Sequence, residues 1–444
     1  MRLATAFAQT FALQVFQSLM SVATGILIAR GLGPVGQGTY ATLLAGVAVG
    51  SVVASLGHFQ GNVLAIASRG NVARALLHAA VVHAVALLAL LALTQRVWRP
   101  WIGLFDGSPL VPVFALVLSL EVLAQMVRGI NLGQHEVLAF NLVTFVQRLA
   151  LFVGVIGLHA SGRLSVLGVA SLWALSVAAG VAFSAGAIWR RSPRVPVSIR
   201  DVGRNWRLAF GHGGRALVVI TLTLLLVRCD IWMLRAMLGV AAVGQISIAV
   251  GLAEWLWYVP GILNNLLFAT VAADQGQRSV ARVCRASRLV IAGTVPATFV
   301  LLVFGRTIVE RLYGAEFAPA GLLFVLLVPG MTALAVHLVI DSYAAGVGFP
   351  AVSIWGAAVA LTAKVGLNLV VVPRWAAPGA ALVTSAVYMG LLVLKIVWLR
   401  RRTGASYREF LAPTVEDLLF SGQAIRGWLT GAMRPEMTGV PRQP

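Results

Sequence analysis

Arg228, Asp230, Glu254 and Lys364 interrupt apolar runs long enough to cross a bilayer. Ionisable groups at such depth are costly to bury, so each implies a ligand or a partner of opposite sign. At a helical rise of about 1.5 Å per residue, Arg228 and Glu254 fall at comparable depth on consecutive runs and can meet. Glu121 and Arg148 match in the same way, and an ion pair holding two helices together is the expectation there. Lys364 has no acid at its depth on either neighbouring run; Asp230 matches only if two non-consecutive helices touch. Otherwise its ammonium would take an anion such as a phosphate, or snorkel to the headgroups. Gln14, Gln17, Ser18, Ser21 and Thr24 recur at helical spacing and share one face of the first run. That stripe lines a cavity or serves interhelical hydrogen bonds. The candidate cavity residues are therefore Arg228, Lys364, Gln14, Gln17, Ser21, Asp230 and Glu254, with Glu121 and Arg148 as a structural pair.

Other chemistries find no support. The histidines are scattered and none has metal-ligand spacing, so neither a metal nor a cofactor is expected. Gly31-Leu32-Gly33-Pro34-Val35-Gly36 fits G-x-G-x-x-G, but a membrane run precedes it where a short strand is required. Lys364 and Lys395 are the only lysines and neither sits in a phosphate-binding loop, so no nucleotide hydrolysis is expected. Cys229 falls in an apolar run and Cys284 in a loop, which argues against a disulfide.

The elements that must position these residues are membrane helices. The chain is 59% hydrophobic and 11% charged, where a soluble domain carries about a quarter charged residues. Twelve runs have the length a bilayer core requires, near residues 11–29, 40–56, 75–94, 110–127, 142–158, 164–189, 216–237, 243–271, 289–304, 320–344, 351–372 and 380–399. The first is read as a span, not a leader, because Gln14 and Gln17 interrupt it and a counterpart follows later. The net charge of +20 would suggest nucleic acid in a soluble protein, but here it has a topological cause. Arginines crowd alternate loops, above all Arg190, Arg191, Arg194, Arg200, Arg204, Arg207 and Arg215. The positive-inside rule then puts both termini in the cytoplasm of a plasma membrane. Anionic lipids are the expected partners of the basic loops, and no nucleic acid is expected.

Val35-Gly36-Gln37 recurs as Val243-Gly244-Gln245, each between the first two runs of a six-run half, and Gly168-Val169-Ala170 has a counterpart in Gly379-Ala380-Ala381. Halves with an even number of spans share one orientation, which makes them parallel repeats. The fold class is an all-α integral membrane protein, two six-helix lobes around a central cavity. Residues 1–189 and 216–399 form the lobes, 190–215 a basic cytoplasmic linker and 400–444 a cytoplasmic tail. Val415, Leu418, Leu419, Ile425, Trp428 and Leu429 give that tail the pattern of an interfacial helix; disorder is the alternative. Pro260-Gly261 is expected to kink the eighth span.

Ile26 to Gly38, then Asp230 to Glu254 with Pro260-Gly261, then Arg311-Leu312-Tyr313-Gly314-Ala315-Glu316-Phe317 resemble, in order, signatures of the bacterial polysaccharide flippases. These belong to one superfamily with multidrug exporters and lipid II flippases. The resemblance implies a bacterial inner-membrane flippase that turns undecaprenyl-diphosphate-linked glycan units across the bilayer for surface polysaccharide synthesis. Lipid-linked oligosaccharide would be its substrate and polysaccharide-assembly proteins its partners. Transport by alternating access would use a cavity lined by spans one, two, seven and eight. A cation-coupled exporter of drugs or other small cations is the leading alternative. A glycan ligase or polymerase would need larger outer loops than these.

Overall fold

The structure is a computed structural model that describes residues 2–69, 72–103, 108–193, 199–257, 260–261, 267, 271 and 277–414; the side chain of Gln14 lies outside the described residues. Among the described residues there is no strand. Helix α1 covers Arg2–Ser55, followed by α2 (His58–Arg69), α3 (Ala73–Leu93), α4 (Gln95–Trp98), α5 (Leu110–Gly133), α6 (Val137–Ala160) and α7 (Val166–Arg191). The second half holds α8 (Ile199–Leu238), α9 (Val240–Ala253), α10 (Gln277–Tyr313), α11 (Ala318–Gly346), α12 (Ala351–Thr403) and the short α13 (Tyr407–Leu411).

Ten of these helical stretches are long and apolar enough to cross a membrane. Two of the ten are broken, so they supply two crossings each. At about 1.5 Å per residue, α12 with its 53 residues is far longer than a bilayer is thick. It breaks at Ala376, at φ 50° and ψ −144°, between Pro373 and Pro378. Helix α1 breaks at Gly33, whose φ of 65° an L side chain resists, and Pro34 restarts the helix where no amide partner is needed. Gly239, at φ 87° and ψ 179°, starts α9 in the same way. The twelve-span reading and the all-α fold class are thus the observed architecture.

Gly33 and Gly239 also set the register of the repeat. Counting from them, Pro34 answers Val240 and Gly38 answers Gly244, so the repeated Val-Gly-Gln triplet sits two residues out of structural register. The halves meet at this point. A Cβ added to Gly38 would overlap the Val240 carbonyl, and one added to Gly244 would overlap the Pro34 carbonyl. Backbone therefore touches backbone where α1 crosses α9. Away from the crossing each half has its own apolar core. One gathers α2, α3, α5 and α7 around Leu76, Val122, Ile130 and Val177. The other gathers α8 to α12 around Leu226, Ile246, Phe324 and Tyr388, with Ala29, Ala41 and Ala45 of α1 set against it.

The basic segment between the halves is not a free linker throughout. Helix α8 starts at Ile199 and continues without a break into the seventh span. The eighth span gives up α-helical geometry early, in a 3-10 turn over Glu254–Trp257. Asn264 and Asn265 beyond the expected kink, and the tail from Val415, lie outside the described residues. Both cysteines are free and buried.

Candidate functional site

A cavity of about 910 Å³ lies between the halves. Gln17, Ser18, Ser21 and Thr24 reach it from the first segment of α1, and Gln37, Tyr40 and Leu44 from the second. The rest of the wall comes from Glu121 on α5, Asn141, Thr144, Gln147 and Arg148 on α6, Trp173 on α7, and Ser247 to Trp257 on the eighth span. The polar face of span one does line a cavity, although Gln17 and Thr24 are also tied to neighbouring backbone. Span seven does not line this cavity among the described residues. Its Val227, Arg228, Asp230 and Ile231 face a smaller pocket of about 100 Å³. The two spaces share Gln37, Leu44, Ser247, Gly251 and Glu254, so they adjoin.

The charged residues divide into two groups. Arg228 Nη1 lies 2.8 Å from Glu254 Oε1, with the two side chains 22% and 25% exposed, so the pairing expected from depth is present and partly exposed. Lys364 is fully buried; Nζ lies 2.6 Å from Asp230 Oδ2 and donates to Leu226 O at 2.8 Å. It also lies 5.2 Å from the centre of the Tyr388 ring. Asp230 accepts further hydrogen bonds from Asn368 Nδ2 at 2.8 Å and Thr384 Oγ1 at 2.9 Å. Spans seven, eleven and twelve therefore touch around one ion pair, and Lys364 is not among the residues lining either cavity. A third pair, Lys395 Nζ to Asp341 Oδ1 at 2.6 Å, joins spans ten and twelve, with Ser353 Oγ at 3.0 Å.

The other expected pair takes a different form. No Glu121–Arg148 ion pair is among the described contacts. Glu121 Oε1 instead accepts Gln147 Nε2 at 2.7 Å and Trp173 Nε1 at 3.0 Å. Arg148 Nη1 donates to Ser21 Oγ at 2.5 Å and to Gln17 O at 3.2 Å, reaching across to α1. Depth matching placed the two groups at one level but could not give their direction. Arg148 is the cation, and Glu121 and Glu254 the acids, among the described residues of the larger wall. No cluster of three metal-ligating side chains occurs among the described residues.

The halves are tied on the side of Gly33 and Gly239. Arg30 on α1 donates from Nε to Leu312 O at 2.8 Å and from Nη2 to Arg311 O at 2.7 Å. These carbonyls end α10, where a helix favours a cation. Arg235 on α8 reaches the other way, to Gly103 O at 2.7 Å and Thr42 Oγ1 at 3.2 Å. Each half thus extends one arginine to the loop or helix end of the other. The depth argument overlooked both, because they lie at span ends where arginine is unremarkable. Thr384 was equally hidden, since it comes from another span; Asn368, one turn beyond Lys364, was visible in the spacing.

The described helices form two packed halves, with ten helical stretches long and apolar enough to cross a membrane and a cavity between the halves. No family model matches the chain and no curated protein matches it. Solved structures do. The lipid II flippase MurJ in an inward closed conformation is 12% identical, with a TM-score of 0.72 over 97% of this chain and 94% of that one. An inward-facing multidrug resistance MATE transporter of the MOP superfamily is 16% identical, with a TM-score of 0.67 over 87% of this chain and 94% of that one. The Vibrio cholerae MATE transporter VcmN is 13% identical, with a TM-score of 0.65 over 92% and 99%. The chain has the fold of the MOP-superfamily transporters.

Proposed function

We propose that this protein is a flippase for undecaprenyl-diphosphate-linked glycan units in the bacterial inner membrane, with both termini in the cytoplasm, working by alternating access. The observation that carries the reading is the large cavity wall. It combines amides and hydroxyls (Gln17, Gln37, Asn141, Thr144, Gln147) with aromatic rings (Tyr40, Trp173, Trp255, Trp257, Tyr313). Such a surface suits a sugar head that is polar at its rim and apolar on its faces. Arg148 on the same wall supplies a charge-assisted contact for a phosphate. The polyprenyl tail stays in lipid. With Lys364 closed against Asp230, the diphosphate role moves from Lys364 to Arg148.

An exporter of organic cations is the second reading, and Glu121 in an aromatic-lined cavity is the feature that favours it. Deleting the protein separates the two. The flippase reading expects lipid-linked glycan to accumulate in the inner leaflet with susceptibility to cationic dyes unchanged. Dye sensitivity with normal glycan export would replace it with the exporter.

A further inference from the structure

The partners of Glu121 give it a task other than holding helices together. Two N–H donors, on α6 and α7, pin Oε1 and so fix the plane of the carboxylate. Oε2 has no hydrogen-bond partner among the described residues, and Glu121 lines the cavity. Trp173, one of the two pins, packs edge-on against Tyr40 with ring centroids 6.2 Å apart, and both rings belong to the same wall. A second acceptor nearby makes the same demand. Gln37, three residues before Tyr40 on α1, is 9% exposed and gives its amide N–H to Ser247 Oγ at 3.2 Å. Its Oε1 is buried with no partner. A buried acceptor without a donor carries an uncompensated desolvation cost. The free carboxylate oxygen of Glu121 on the cavity wall and the buried oxygen of Gln37, beside two edge-packed rings, call for a ligand that brings several donors and an apolar face at once.

A pyranose has that combination: hydroxyl hydrogens around its edge and C–H groups on its faces. An organic cation would satisfy Glu121 but offers Gln37 nothing in general. We propose that Glu121, oriented by Trp173 and Gln147, is a sugar-reading subsite. It accepts hydroxyl hydrogens from the sugar next to the diphosphate while that ring lies against Tyr40 and Trp173, and Gln37 Oε1 accepts another. The proposal rests on the flippase reading and adds to it a specificity residue that touches the glycan, not the lipid.

The test compares two probes on the full chain in lipid nanodiscs: undecaprenyl diphosphate, and the same lipid carrying one N-acetylglucosamine. The unsubstituted protein is expected to bind the sugar-bearing lipid about tenfold tighter, the scale of hydrogen bonds to a charged acceptor. Glu121→Gln keeps a carbonyl oxygen for the Trp173 and Gln147 donors but loses the charge. It should reduce that advantage to less than about twofold and leave bare undecaprenyl diphosphate unaffected. An advantage that survives Glu121→Gln overturns the subsite while leaving the flippase reading intact. Failure of the unsubstituted protein to bind either lipid overturns the flippase reading itself. Loss of ethidium binding in Glu121→Gln, with both lipids unaffected, assigns the carboxylate to cations and overturns the subsite. Should Glu121→Gln not fold, Trp173→Phe decides, because it removes one pin and keeps a ring. It should lose part of the sugar advantage, and an undiminished advantage there counts against the subsite.

Discussion

In the first half of the molecule, the described hydrogen-bond partners of Glu121 and Arg148 are neutral: Gln147 and Trp173 hold Glu121, and Ser21 and a backbone carbonyl of Gln17 hold Arg148. In the second half three pairs of membrane charges are closed on their opposites. Lys364 and Asp230 stand 2.6 Å apart, Lys395 and Asp341 2.6 Å, Arg228 and Glu254 2.8 Å. The halves repeat one topology but use charge differently. Neutral partners position a charge and leave its field directed into the cavity. An opposite charge cancels much of that field and fastens two helices.

The strongest test is to remove a charge from each half. Lys364→Ala should cost about 3–5 kcal/mol of stability, because it leaves the Asp230 carboxylate buried and unpaired. Thermal melting in detergent reads this, and Asp230→Asn on the Lys364→Met background should recover most of it. Arg148→Gln, by contrast, should melt near the unsubstituted protein yet lose glycan export at matched membrane abundance. If Arg148→Gln proves the more destabilised of the two, the contrast between the halves collapses.

A smaller effect is expected at Arg228. Its pair with Glu254 is about a quarter exposed, so water screens it and Arg228→Ala should cost about 1 kcal/mol, well below Lys364→Ala. Equal losses at the two sites would show that hydration does not separate them. The smallest effect concerns the ties between halves. Removing Arg30 or Arg235 gives up hydrogen bonds worth about 1 kcal/mol in net terms, which would raise the population open on that side about fivefold. A maleimide that cannot cross the membrane, reacting with Leu44→Cys in a background lacking Cys229 and Cys284, measures this. Rates that do not rise in Arg30→Ala or Arg235→Ala would sink the idea that these arginines hold the two halves shut.

What could be read from the sequence was whatever depends on one helix at a time. Run lengths located the spans, and equal depth brought Arg228 to Glu254. Periodicity put Gln17 and Ser21 on the cavity face. Rotation about the helix axis was not legible, so Glu121 and Arg148 were matched in level but not in direction. Contacts between spans distant in sequence were not legible either. The cage around Asp230 needs Lys364 and Asn368 from span eleven and Thr384 from span twelve. The repeat was recognised from an identical triplet, yet its register is set by Gly33 and Gly239, because backbone conformation and not side-chain identity aligns the halves.

The crossing at Gly38 and Gly244 has the form of a two-fold dimer interface folded into one chain. In such an isologous contact the same position appears twice, once on each side. Here each glycine exists for the sake of the other half's carbonyl: Gly38 makes room for Val240, and Gly244 for Pro34. A side chain gained by either copy at this position strikes the main chain of the other, so the two halves remain answerable to each other at this crossing even where their cavity residues have parted ways.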